Sequence, residues 1–184
     1  MSEHIKELVK ELGSKDNKIR KNALDIMLKL TQEKVDWVYE IWDILVDKLN
    51  SKNSYQRTIG VFLLSNLAKS DYEGRFLEII DRYLQLTEDE KFIASRQTIQ
   101  SSYKVAIAIK QLKDKIVNHL IKMFSENKHL NSHANLIRKD IVQSLCNINN
   151  AYQDIDLIEI KLKIEMNCFN KERKELEKIL RKGQ

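Results

Sequence analysis

The chain has 184 residues, a formal net charge of +5, no proline and only four glycines. A fold of this length buries roughly 70% of the surface its unfolded chain exposes, so one domain needs no covalent staples. Sheets joined by tight turns draw on proline and glycine at their corners, and this composition argues against them. It suits helices joined by short Asn, Ser and Asp loops.

The first stretch, MSEHIKELVKEL, is charged throughout, and no apolar run approaches the roughly 20 residues that span a bilayer, so a cytoplasmic protein with no membrane association is expected. Apolar residues then recur at three- and four-residue spacing, as in Ile5, Leu8, Val9, Leu12 and in Ile41, Leu45, Val46, Leu49. The spacing predicts helices near 2 to 13, 16 to 32, 35 to 50, 53 to 69, 73 to 86, 88 to 111, 113 to 126, 132 to 150 and 153 to 182, with a break in the sixth near 109. Asp16 stands as a cap, Ser70 with Glu73 and Thr87 with Glu90 have capping-box spacing, and Ser132 opens the eighth helix. In the last segment IEIKLKIEM alternates at period two, but a lone strand cannot satisfy its backbone groups. Helical spacing through Ile155, Ile158, Leu162, Met166 and Phe169 explains the same residues and predicts one terminal helix, over 152 to 184, that covers the end of the preceding helices with that face.

The helices pair, and the pairs repeat. Ala23, Leu24, Met27 and Leu30 return 37 residues later as Gly60, Val61, Leu64 and Leu67, then as Thr98, Ile99, Ser102 and Val105, and again as Ile141, Val142, Leu145 and Ile148. First members repeat as LVKEL at 8 to 12, LVDKL at 45 to 49, IIDRYL at 79 to 84 and LIKMF at 120 to 124. Two helices per period of about 40 residues is the arithmetic of an all-α superhelix of about four hairpins, bounded near 33, 70, 111 and 151, within a single domain.

DNKIRKNALDIMLKL at 16 to 30 and NSYQRTIGVFLLSNL at 53 to 67 resemble the HEAT/armadillo-like repeat family, whose second helices open with an Asp-x-x-Val-Arg pattern followed by small and apolar residues. The second copy keeps the arginine, with Asn53 in place of the aspartate; the third has Ser95 at the arginine position, and the fourth keeps Arg138 without the aspartate. The resemblance covers about residues 1 to 150 and implies a helical solenoid; it implies no particular function, because such solenoids host many. At Arg20, Arg57 and Arg138 a structural ladder is expected, each arginine pairing with a neighbouring carboxylate or helix end, Asp16 and Asp89 being available.

If the second helices line one face, the offsets predict three rows of solvent-facing side chains. These are Lys21, Thr58, Arg96, Lys139; then Asp25, Phe62, Gln100, Gln143; then Lys29, Asn66, Lys104, Asn147. Lys21, Asp25, Lys29, Phe62, Asn66, Arg96, Gln100, Lys104, Lys139, Gln143 and Asn147 are therefore the candidate binding residues of a non-catalytic adaptor that grips a protein segment, with Phe62 as an apolar anchor. Nucleic acid is the second partner class, since residues 91 to 140 carry ten Lys/Arg against three Asp/Glu and most protein contacts to nucleic acid go to its backbone. The chain is expected to be a monomer or a weak dimer.

Catalytic readings fare less well. IWDILVD looks similar to the WDxVD-like stretch of HEAT-like alkylpurine DNA glycosylases, but Trp42 and Asp47 are five residues apart, so on a helix their side chains diverge. Base-excision chemistry is accordingly the third reading, and Trp37 and Trp42 are expected to pack between hairpins. The Cys146 and Cys168 pair falls outside zinc-ligand spacing, and His4, His119, His129 and His133 have no partnered Cys or carboxylate, so no metal and no cofactor is expected. Phosphate loops and nucleophile elbows are lacking as well.

Overall fold

A computed structural model describes residues 2 to 126 and 133 to 183. Among them the secondary structure is helical throughout, with no strand: α1 (Glu3–Glu11), α2 (Asn17–Leu30), α3 (Val38–Leu49), α4 (Ser54–Leu67), α5 (Phe76–Gln85), α6 (Phe92–Ala108), α7 (Lys110–Glu126), α8 (Ala134–Tyr152), α9 (Leu157–Asn167) and α10 (Asn170–Lys182). The break expected near 109 falls between α6 and α7. Ser132 and His129 lie outside the described residues. No described helix is long and apolar enough to cross a membrane.

The chain forms two compact units, Met1–Thr98 and Ile99–Gln184. In the first, α1 pairs with α2 and α3 with α4, while α2 packs on α4 and α3 on α5. The repeated apolar set explains this packing: Ala23, Met27, Val61, Leu64 and Leu67 are at most 1% exposed. Gly60 occupies the place of Ala23, and here the backbones approach closely enough that a Cβ would meet the Leu45 carbonyl oxygen at 2.9 Å. Trp42 is buried edge-on to Phe76, with ring centroids 6.0 Å apart, and Phe76 in turn meets Tyr83. The Tyr83 hydroxyl lies 2.7 Å from Ser65 Oγ, which satisfies its polar end inside the core.

Several expected details differ. Leu30 is 40% exposed rather than part of the core, because α2 reaches its last turn there. Ser70 does not cap α5; its Oγ accepts from the Val35 amide at 3.0 Å, and Asp71 takes the capping work by accepting from the Arg75 and Phe76 amides. Thr87 is buried and donates to the Leu84 carbonyl, while Asp89 turns the chain into α6 by accepting from the Lys91 amide at 2.8 Å. In both places a short 3₁₀ turn after the preceding helix carries the residue inward before the next helix starts.

In the second unit α7 packs on α8, α8 on α10, and α9 on α7 and α10. Ile141, Val142, Leu145 and Ile148 fill its core as the repeat predicts, together with Ile99 and Val105. The terminal segment is two helices rather than one. They part at Cys168 and Phe169, both extended, and Asn170 begins α10 with φ 52°, a left-handed conformation that Asn tolerates. The face of α9 is also the reverse of the expected one: Ile160 and Ile164 are buried, and Ile158, Leu162 and Met166 point outward, as does Phe169 just beyond the helix. Period-two alternation made the helix apolar on two sides, and packing chose the other. Both cysteines are buried free thiols, and burial pushes the Cys146 thiol up to about 11.

Candidate functional site

The loop before each second helix is built alike in the first two repeats. Ser14 Oγ accepts from the Asp16 amide at 3.1 Å, and Ser51 Oγ from the Asn53 amide at 3.2 Å. Asp16 and Asn53 then cap α2 and α4 through the Lys18 and Tyr55 amides. Arg20 and Arg57 each donate to a carbonyl six residues back, Ser14 and Ser51, at 2.8 Å. Asp89 stands where those serines stand, one repeat on. Arg57 donates to both of its carboxylate oxygens, at 2.6 and 2.7 Å, with both side chains buried. Burial alone would raise the Asp89 carboxyl, but hydrogen bonds from Arg57 and the Lys91 amide outweigh it and hold it below its ordinary value of 3.8. The ladder predicted for the arginines is thus present at Arg57, and Arg138 repeats it in the second unit through Glu172 at 3.1 Å.

Arg20 has no such rung. Its counterpart loop offers Ser51 instead of an acid, so its guanidinium bonds Asn17 and stands 5.1 Å over the Tyr55 ring. No carboxylate lies within ion-pair range of it among the described residues. Arg20 opens onto a groove of about 760 Å³ that crosses the first turns of three successive second helices.

Each helix gives the groove one stripe at three- and four-residue spacing: Asn17, Arg20, Lys21 and Leu24 from α2; Ser54, Tyr55, Thr58, Ile59 and Phe62 from α4; Ile93, Ala94 and Gln97 from α6, with Lys91 and Phe92 before them. All of these residues belong to the first unit. The floor is aliphatic and aromatic. Tyr55 and Ile93 are 66% and 67% exposed, so large apolar side chains meet water here, with Tyr55 covered only in part by Arg20. Arg20, Lys21 and Lys91 but no acids line the groove.

Of the residues expected from the sequence, Lys21 and Phe62 lie in this groove. Lys21 and Asp25 form an exposed pair at 3.5 Å, Lys29 is exposed outside the groove, and Arg96 stands 5.7 Å over the Phe92 ring. Asn66 turns inward instead: it is 7% exposed and donates to Thr31 Oγ1 at 3.1 Å, tying α4 to the end of α2, so it is unavailable to a ligand. In the second unit Gln100 donates to Asp140 and Gln143 to Asn147, Lys104 is half-buried, and Lys139 is held by Glu175 of α10. There the predicted rows are occupied by partners within the protein. In the basic stretch 91 to 140, Lys113, Arg138 and Lys139 likewise pair with Asp154, Glu172 and Glu175, acids that lie beyond it.

The sequence reading missed Arg20, Leu24, Tyr55, Ile59 and Ile93 as groove residues. A signal existed in α4, where Tyr55, Ile59 and Phe62 form a second apolar stripe beside the core stripe of Gly60, Val61, Leu64 and Leu67. A helix that is apolar on two faces needs two partners.

Trp42 and Asp47 do not converge: the indole is buried and the carboxylate faces solvent. No cluster of three or more His, Cys, Asp or Glu side chains arranged for a metal occurs among the described residues. Fold and groove together define an all-α protein built from paired helices that carries an open apolar surface with a basic rim. No family model and no curated protein matches the sequence.

Proposed function

We propose that this chain is a non-catalytic docking module of the helical-repeat kind, and that the groove across α2, α4 and α6 receives a segment of another protein. The observation that carries this reading is the exposure of Tyr55 and Ile93 beside half-buried Phe62, in a groove whose polar contributors are cationic or neutral. An apolar floor with a basic rim fits an amphipathic segment that lays its apolar residues on Phe62 and Ile93 and directs a carboxylate at Arg20. Arg20 is pre-oriented for that contact, since Ser14 and Asn17 already fix its guanidinium. The pairing of Lys113, Arg138 and Lys139 with acids of the chain itself favours a protein segment over nucleic acid.

Selection from a displayed library of random peptides tests this. Peptides enriched on the protein should carry apolar residues at three- or four-residue spacing with a flanking Asp or Glu. They should be lost on Tyr55→Glu with Ile93→Glu, a pair that leaves helicity and melting unchanged because both side chains are exposed. No enrichment, or enrichment indifferent to the two substitutions, would refute the groove.

A further inference from the structure

The second unit carries an apolar surface of its own on α9. Ile158, Leu162 and Met166 are 73%, 53% and 77% exposed at four-residue spacing along one side of the helix, and Phe169, in the extended link to α10, is 71% exposed. The opposite side is fixed, since Ile160 and Ile164 are buried against the unit's core. The helix therefore cannot turn its outer stripe inward without exposing the inner one.

The charges flanking the stripe identify what covers it. On a 3.6-residue wheel centred on Leu162, Glu159 and Lys163 lie along one edge and Lys161 and Glu165 along the other. Each edge carries one acid and one base, so a uniformly acidic or basic partner would be repelled by half of each. A second copy laid antiparallel about Leu162 sets acid against base at four places, two on each edge, while Lys161 and Lys163 pass their own counterparts near the two-fold axis. Ile158 faces Met166 of the other molecule and Leu162 faces itself. Glu159 lies beside the other molecule's Lys163, and Glu165 beside its Lys161. Within one molecule Lys163 already bridges Glu159 at 3.4 Å, and Arg173 holds Glu165 at 3.3 Å, which keeps these side chains along the edges.

We infer that α9 is a self-association face, on which two copies of this chain pair antiparallel through Ile158, Leu162 and Met166. Four side chains fall short of the roughly 800 Å² per partner of a standard interface, so the pairing is weak and concentration-dependent. It is independent of the groove, which lies in the other unit.

Sedimentation equilibrium of the full chain up to about 1 mM reads it directly. The mass should climb from 21.7 kDa towards twice that value, and Leu162→Glu should return it to one chain. Glu159→Lys and Lys163→Glu should each weaken association alone, because like charges then meet across the pair. Mixing the two variants should restore it, since each then supplies the other's missing sign, an outcome that a folding defect cannot produce. Leu162→Cys, oxidised with copper phenanthroline in air, should cross-link to itself more readily than Ile158→Cys, the native thiols being buried. A chain that stays monomeric at every concentration, association that survives Leu162→Glu, a mixture no better than its components, or preferential cross-linking through Ile158→Cys would each overturn the proposal.

Discussion

Arg20 and Arg57 hold the same position in successive repeats, follow loops of the same construction and donate to equivalent carbonyls, those of Ser14 and Ser51, yet they have opposite fates. Arg57 is buried and bidentate on Asp89, whereas the loop position that would answer Arg20 is Ser51, and Arg20 rests over Tyr55 at the mouth of an apolar groove. One residue in the following loop decides whether the repeated arginine braces the fold or faces a ligand. A sequence motif of this kind marks a position in the fold, and its role is set by what the next repeat presents to it.

The sharpest way to break the comparison is to truncate both arginines. Arg57→Ala strands the Asp89 carboxylate, 2% exposed, and should cost about 3 kcal/mol by urea unfolding; Arg20→Ala should stay within ~1 kcal/mol while weakening the selected peptides. Equal losses would show that the two arginines are not distinguished by burial.

Acid approaches the same rung without a mutation. The folded Asp89 carboxyl lies below its ordinary 3.8, so its contribution is complete well above that value and is lost as pH falls through 3.8 and then through the lower folded value. The stability difference between the protein and Asp89→Asn, measured as a function of pH, should therefore hold at neutrality and shrink below about pH 4. A difference that persists undiminished in acid would remove the ionised pair from the account. The smallest effect comes from building the missing rung: Ser51→Asp offers Arg20 a carboxylate and should stabilise by up to ~1 kcal/mol. Peptide binding should fall with it, because the guanidinium is then engaged.

The period of two helices and the apolar set Ala23/Gly60, Met27/Leu64 and their successors were readable from spacing, because burial of one helix face imposes it. The arginine ladder was readable too, and Asp89 was among its expected acceptors. Other assignments turned on tertiary choices that no local pattern decides. Asn66 falls in register with exposed residues, but α4 packs on α2 closely enough to bring its amide to Thr31. Lys139 and Arg138 are engaged by acids more than 30 residues along, on a helix whose docking the repeat does not encode. For α9 both faces were apolar, and only packing against α7 and α10 shows which one is left outside. The groove drew three of its residues, Lys21, Thr58 and Phe62, from the expected rows, since the rows took positions opposite the core, while the groove runs along the shoulder between core and solvent.

Trp42, buried beside Phe76, has a practical consequence. The chain has two tryptophans, Trp37 and Trp42, and both belong to the first unit. Indole emission therefore reports the unit that holds the groove and the Arg57–Asp89 rung and is blind to the other, whereas far-ultraviolet dichroism sums both. Following the two signals through one denaturant titration shows whether the halves melt as one body or in sequence, with no label added.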